Sequence, residues 1–536
     1  MIRKIIIKNY KGYEQATIEL QPTINILVGN NEAGKSTILE AVHLALTARI
    51  GRLHVSQCLS PHLLNRTVAK NYLAALHEGK PQPPPEIVIE LYFETTPISA
   101  SLKGTNNLLK EDTAGVRLWM HFDNDYAAEY DEHLKDAKAV HYVPTEYYKV
   151  EWLAFNGTSI TQRSLKVNAT LIDASKMRLQ SGADYYLQRI IEESLTDAER
   201  VRLARTYADL KQTFATSAGI TALNTILEQR KAHVTDKAFT LGMDTSPTSV
   251  WEASLVPHLD DLPFGHAGGG EQSMMKILLA ITRNTDGSHI VLIEEPENHL
   301  SFPRLNSLVD KIGTLCEGRQ VLLTTHSSFV LNKLGLKQLL LLKNQTTTRL
   351  TALPEDTQEY FKKLSGYDTL RMVLTDKAIL VEGPSDDLIV QRAYRDTRQR
   401  LPIVDGIDVI AVRGLAFKRF LDIAAVTGTK VSVVTDNDGD PDAVQKKYEA
   451  YKQYAHIKIC YSIDATRTTL EPQLVGCNTI EDLNAALGTA HATLADVIAN
   501  IGSKAGKTDA ALKIFESPHR LTMPEYITRA ITWLAQ

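Results

Sequence analysis

The chain has 536 residues, 43% of them apolar and 23% charged, which is ordinary soluble composition with room for two to four domains of roughly 100–200 residues each. A net charge of −4, from 59 basic and 63 acidic side chains, excludes a globally basic nucleic-acid binder, so contact with DNA would need a local basic groove or metal ions. Cys58, Cys316, Cys460 and Cys477 form no Cys-x-x-Cys or Cys/His pair, which excludes a disulfide framework or structural zinc and points to reduced thiols in the cytoplasm.

The N-terminal MIRKIIIKNYKGYEQ lacks the apolar core of a signal peptide. No stretch reaches the ~18 apolar residues of a membrane span, so no membrane partner is expected. Residues 2–8 and 24–28 read as short β-branched strands, followed by a glycine-rich loop and a helix through Leu46. The PQPPP segment at 81–85 is a loop, and EIVIELYFE after it alternates as a strand. From about 170 to 240 the chain is proline-free and rich in Leu, Ala, Arg, Glu and Gln. Leu187, Ile190, Ile191 and Leu195 recur there at helical spacing, which predicts an all-helical insertion whose apolar stripe covers the core or a second subunit. HIVLIEEP, QVLLTTH and QLLLLKN are three more strands separated by helical stretches, the pattern of a mostly parallel sheet. Residues 352–374 read as a connector. A second α/β pattern opens at Lys377, continues through DVIAV and KVSVVTDND, and turns helical beyond about 480.

Gly29-Asn30-Asn31-Glu32-Ala33-Gly34-Lys35-Ser36, followed by Thr37, fits G-x-x-x-x-G-K-[ST] between a strand and a helix. Such a loop wraps phosphates in backbone N–H groups and aims the positive end of a helix at them. Lys35 would neutralise the β/γ oxygens and Ser36 would ligate Mg²⁺. In IVLIEEPENHL, Glu294 would hold Mg²⁺ and Glu295 would orient the attacking water, while His326 would face the γ-phosphate from the end of the next strand. These residues resemble the ABC-type ATPases of the SMC and recombination-repair group. That group's LSGGEQ signature is represented by Ala267-Gly268-Gly269-Gly270-Glu271-Gln272, in which glycine replaces the serine that touches the γ-phosphate. Gly269 and its neighbours could still offer N–H groups to a phosphate, but slow turnover, or ATP as a state signal, becomes plausible. Gln57 is a weak candidate for the Q-loop.

The last third carries a different chemistry. Ala378-Ile379-Leu380-Val381 ends in Glu382-Gly383, with Asp386 one turn into the helix that follows. Val431-Ser432-Val433-Val434-Thr435 ends in Asp436-Asn437-Asp438, whose alternation predicts both carboxylates on one side. Glu471 is read at the end of a third strand. Carboxylates gathered at the carboxyl ends of parallel strands repel one another and call for a divalent cation, with Mg²⁺ or Mn²⁺ suited to hard oxygen ligands. A calcium loop is excluded because Pro441 stands where that motif needs glycine. Asp387 and Asp440 are spare acids, while Arg413, Lys418 and Arg419 could contact a phosphate backbone or form a solvated face.

Glu382, Asp386, Asp436 and Asp438 at this spacing resemble the TOPRIM fold. A TOPRIM domain after an ABC-type ATPase resembles the OLD (overcoming lysogenization defect) nucleases. The resemblance implies an α/β chain with an ATPase N-terminal lobe at 1–165, a helical dimerisation insertion at 166–245, an ATPase C-terminal lobe at 246–370 and a TOPRIM nuclease domain at 371–536. It further implies that Glu382 and Asp386 bind one metal, that Asp436, Asp438 and Glu471 help to bind another, and that Lys507 lies near the scissile phosphate. The expected activity is ATP-regulated, metal-dependent DNA cleavage in prokaryotic anti-phage defence. ATP and Mg²⁺ (or Mn²⁺) are the expected cofactors, and a homodimer or higher oligomer is expected, either alone or with a helicase or reverse-transcriptase partner. An SMC-type DNA clamp without nuclease activity is the alternative, and RNA as substrate stays open.

Overall fold

β-Branched and aromatic residues at the amino terminus build the first sheet. Ile2–Tyr10 lies between Tyr13–Glu19 and Ile87–Phe93, all antiparallel, and Thr113–Phe122 and Tyr148–Ala154 extend the sheet beyond Ile87–Phe93. This computed structural model describes all residues except 52, 81, 162–163, 174–194, 231–239, 244–255, 283–287, 316–317, 344, 365, 413–415 and 504–505. It divides into one unit of Met1–Leu165 with Leu322–Gln536, and another of Lys166–Val321.

In the first unit, Ile24–Gly29 runs parallel to Leu339–Lys343, placing Gly29 opposite Leu342, and Thr346–Arg349 closes that edge antiparallel. The connector at 352–374 is in fact two helices, Glu355–Lys363 and Thr369–Leu374. They dock against the helices Ser328–Leu334 and Phe417–Thr427. Fully buried Phe361 meets Phe420 edge-on at 5.4 Å, and Thr369 donates to Asn332 at 2.6 Å. Arg419 belongs to this joint: it pairs with Asp356, donates to Thr357 at 2.8 Å and lies over the Tyr360 ring, so the expected phosphate contact gives way to a docking role. Lys418 is exposed, and Arg413 lies outside the described residues.

The C-terminal sheet is four-stranded and wholly parallel, in the order Ile407–Ala411, Lys377–Val381, Lys430–Val434, Ile457–Cys460. Helices cover both faces of such a sheet, so its strands read as nearly continuous apolar runs, as AILV and VSVV do. The helix Glu525–Ala535 lies across three of these strands. Pro384–Arg398 packs against the helix Gly506–Glu516, where Arg392, 2% exposed, acts as a staple. Its guanidinium donates to the carbonyls of Ile514 (2.5 Å), Phe515 (3.2 Å), Ser517 (2.6 Å) and His519 (2.7 Å), and pairs with Asp396 at 2.7 Å. Removing that donor leaves four carbonyls, that of Ile514 buried, without it. Arg392→Met is expected to destabilise the C-terminal region by about 3 kcal/mol. Urea denaturation followed by limited proteolysis of the Ser517–His519 segment checks this.

In the second unit Val167–Asp173 runs parallel to Ser288–Glu294. The segment expected to be all-helical therefore opens on a strand, and its helices Asp197–Ala215 and Ala218–Arg230 come later. A capping box between Thr196 and Glu199 starts the first helix. Leu187, Ile190 and Ile191 lie outside the described residues, and Leu195 is half-buried. On the helix after it, Val201, Leu210 and Phe214 are exposed.

Candidate functional site

The strand Ile24–Gly29 delivers the loop Asn30–Gly34 to the amino end of the helix Lys35–Thr47. Gly34 has φ +87°, and a Cβ there would come within 2.6 Å of the Tyr13 ring. The Tyr13 hydroxyl in turn donates to Ala33 O at 2.9 Å, so the loop is braced tightly enough that only glycine fits. Lys35, 6% exposed, folds its ammonium onto Gly29 O (2.7 Å) and Asn30 O (3.1 Å). Asn30 and Ser36 are exposed, and Thr37 is half-buried. The helix begins with no acidic residue in its first turn and no side-chain cap. A braced glycine cradle, a buried lysine and an uncapped helix start fit a nucleotide's phosphates. His326 is exposed just past the strand Gln320–Thr324, and Gln57 is exposed on a short turn.

In the second unit, Glu294 ends its strand. Glu295 follows with φ +46°, and its carboxylate accepts from Asn298 Nδ2 at 2.8 Å. The signature segment enters the helix Gly269–Thr282 directly at Gly269. A Cβ on Gly270 would stand 2.3 Å from His299 O, which ties the helix start to the turn following Glu295. These two halves of the expected nucleotide chemistry thus fall in different units, each with its local geometry built.

The carboxylates of the C-terminal sheet do converge. Glu382 follows the strand Lys377–Val381, and its Oε1 accepts from the Thr435 hydroxyl (2.8 Å) and the Asp436 N–H (3.3 Å), bridging two neighbouring strand ends. Asp386, in the first turn of Pro384–Arg398, accepts from the Gly383 N–H at 3.1 Å. Glu471, 7% exposed, accepts from the Thr469 hydroxyl at 2.9 Å. Lys507 Nζ lies 2.7 Å from Glu471 Oε1, an ion pair whose angle does not complete a hydrogen bond. Glu471, Asp386 and Asp436 thus share one lysine.

The electrostatics register that imbalance. Burial, then the charges of Glu382, Asp386 and Glu471, push Asp436 up to about 8, while Lys507 pulls the other way. Burial and Glu382 push Asp386 up to about 6. Lys507 is held above its ordinary range, because Glu471, Asp386 and Asp436 outweigh its own burial. Tyr526, buried on the last helix, has its phenol held protonated by burial first and then by the same four carboxylates.

Two placements differ from the sequence expectation. Glu471 lies in the first turn of the helix Leu470–Gly476, since the third strand already ends at Cys460. Asp438 is exposed with φ +49°, because the strand stops at Val434 and the chain turns before strand alternation could carry Asp438 beside Asp436. Sequence reasoning missed Thr435 and Tyr526. Thr435 was readable as a hydroxyl beside a strand-end acid, whereas nothing local marks Tyr526.

Among the described residues, no three acidic, histidine or cysteine side chains already surround one point closely enough to hold a metal ion. The donor chemistry still fits a hard divalent cation: Glu382, Asp386, Asp436 and Glu471 offer oxygen only, and their mutual repulsion is relieved by positive charge.

Comparison with known proteins follows the same division. Residues 374–438 match the family described as "Overcoming lysogenization defect protein-like, TOPRIM domain". Residues 4–134 match an AAA domain, and 192–332 match a second AAA domain family. The chain thus carries stretches similar to AAA domains and, after them, a stretch similar to an OLD-like TOPRIM domain. The TOPRIM match covers Glu382, Asp386, Asp436 and Asp438 and stops short of Glu471 and Lys507. A DNA replication and repair protein RecF of Lactococcus lactis is 38% identical over 60 residues, which is 11% of this chain and 17% of that one. A DNA double-strand break repair Rad50 ATPase of Methanopyrus kandleri is 46% identical over 52 residues, or 10% of this chain and 6% of that one. The chain therefore spans less than a fifth of the length of these relatives. An SMC head bound to the C-winged helix domain of ScpA overlays with a TM-score of 0.34 at 15% identity, covering 65% of this chain and 96% of that one. A score that low adds nothing to the assignment. No helix among the described residues is long and apolar enough to cross a membrane.

Proposed function

We propose that this protein is an ATP-gated, divalent-metal-dependent DNA endonuclease acting in the prokaryotic cytoplasm in defence against phage. The observation that carries this is the convergence of Glu382, Asp386, Asp436 and Glu471, with Lys507 against them, at the carboxyl end of a parallel sheet. When bound, Mg²⁺ or Mn²⁺ supplies the positive charge that polarises a phosphodiester and acidifies a water. The four carboxylates would hold the cation, while Asp438 stands exposed on the turn beyond Asp436. Thr435 fixes the Glu382 carboxylate through its hydroxyl, and Lys507 holds a cation where the scissile phosphate's charge arrives. Tyr526 keeps a buried, protonated phenol within the field of the four carboxylates.

At the other end of the chain, the Asn30–Thr37 loop takes the phosphates of ATP. Glu294, Glu295, His326 and Gly269 keep the nucleotide roles that the family resemblance implies for them. DNA is the substrate proposed, and the repair functions named for the relatives that match about a tenth of this chain support it. Exposed Leu203, Leu210 and Phe214 supply an apolar helix face that a homodimer or higher oligomer would cover. A helicase or reverse-transcriptase partner is compatible with this arrangement. Those same relatives favour a second reading, an SMC-type clamp without cleavage.

Incubating supercoiled plasmid with wild type and Lys35→Ala, with and without ATP, in Mg²⁺ or Mn²⁺, separates the two. Cleavage that responds to ATP in wild type but not in Lys35→Ala supports gated hydrolysis. DNA retention with ATP turnover and no cut strand supports the clamp.

A further inference from the structure

Cutting a polymer requires that something seat it, and the loop beside the acids is built to do so. Beyond the strand Ile457–Cys460 the chain passes through Tyr461-Ser462-Ile463-Asp464. Ile463 is 84% exposed, the highest value for a large apolar side chain among the described residues. A lone exposed isoleucine is ordinary on a protein surface and needs no explanation. This one differs because its backbone is held so that it cannot fold away.

Asn437, 1% exposed and set between Asp436 and Asp438, donates from Nδ2 to Ser462 O (3.0 Å) and Asp464 O (2.8 Å), the two carbonyls that flank Ile463. Its Oδ1 accepts from the Gly439 N–H at 3.0 Å, and the Asp438 N–H donates to Thr468 O at 3.1 Å. The Asp464 carboxylate accepts from the Thr466 N–H (2.9 Å) and hydroxyl (2.5 Å), stiffening the far side. Arch and acid loop are therefore one piece, with isoleucine at the crest. Guanidinium groups flank the crest: Arg467 belongs to the arch, 3.6 Å from Asp464, and Arg529 reaches across from the last helix to donate to Tyr461 O at 3.0 Å. Beyond Arg529, Lys430 and Lys458 stand 4.8 and 5.8 Å from the Trp533 ring centroid, extending the cationic track.

We propose that Tyr461–Arg467 is a DNA-seating arch. Ile463 enters a duplex between adjacent base pairs as an apolar wedge, while Arg467 and Arg529 hold the phosphates on either side. Because Asn437 couples the crest to the acid loop, the inserted step fixes which phosphodiester meets the carboxylates. This rests on the nuclease proposal above.

The test uses the full chain in EDTA, which prevents cutting, with a fluorescein-labelled duplex and a set of duplexes carrying 2-aminopurine at successive positions. Wild type is expected to bind and to raise 2-aminopurine fluorescence at one step. Ile463→Ala, an exposed change without folding cost, is expected to bind about tenfold more weakly and to lose the fluorescence rise. Ile463→Leu is expected to restore both. Unchanged affinity and fluorescence in Ile463→Ala overturn the arch while leaving the nuclease proposal standing, since cleavage in Mg²⁺ is read separately. Absence of any duplex binding by wild type likewise overturns the arch, while the nuclease proposal is judged by the cleavage in Mg²⁺.

Discussion

Asp436→Asn is expected to lose DNA cleavage by at least about a thousandfold and yet to raise the stability of the metal-free protein. Both effects come from one carboxylate held where water is scarce and three other acids are near. An ordinary aspartate titrates near about 3.9, whereas Asp436 is pushed up to about 8 by burial and by Glu382, Asp386 and Glu471. The sign follows directly. Below pH 4 the group is protonated whether the chain is folded or not, and it costs nothing. As pH rises, the unfolded chain ionises first, so the stability contribution falls until it is lost on passing about pH 8. Asparagine keeps the shape without the charge. In EDTA at pH 8 it is expected to gain on the order of 2 kcal/mol over wild type, and to lose that gain at pH 4. Added Mg²⁺ is expected to stabilise wild type more than the variant. Thermal melts at the two pH values, with and without metal, check all of this; a variant less stable than wild type at pH 8 in EDTA contradicts the repulsion account.

Lys35→Ala is the second large effect. The ammonium sits on two loop carbonyls, those of Gly29 and Asn30, and is the one cation in the Gly29–Ser36 loop. Removing it takes away the charge partner of the β/γ phosphates, and ATP affinity is expected to fall by at least about a hundredfold. Fluorescent-nucleotide titration measures the affinity. The same variant should make cleavage indifferent to ATP, whichever direction ATP pushes in wild type. Retained affinity within a few-fold would place the nucleotide elsewhere.

The two sites differ in how much of them the sequence exposes. The P-loop is local: strand, glycines, lysine and helix follow one another within a few residues, so the motif and its geometry are legible together. Tyr13 is not, since its packing on Gly34 depends on how the first hairpin lies. In the C-terminal sheet, Glu382 and Asp436 were readable because an apolar run ending in an acid marks a strand's carboxyl end. That rule breaks where the strand ends early. It placed Asp438 beside Asp436 by alternation, but the chain turns at Val434 and φ becomes positive at Asp438. It also placed Glu471 on a strand, when the short edge strand Ile457–Cys460 stops well before and the arch carries the chain to a helix start. The strand Val167–Asp173 was absorbed into a helical insertion because its seven residues adjoin a long segment of helix-forming composition. Tyr526 had no sequence signal, since only tertiary packing sets the last helix beneath acids far upstream.

The most direct test of the central claim is cleavage of supercoiled plasmid in Mg²⁺ or Mn²⁺ by wild type beside Asp436→Asn and Glu382→Gln, at matched folding and ATP turnover. Nicked or linear product from wild type alone, abolished by EDTA, is the predicted result. Equal cutting by all three, or intact plasmid under every condition while ATP is hydrolysed, would contradict it.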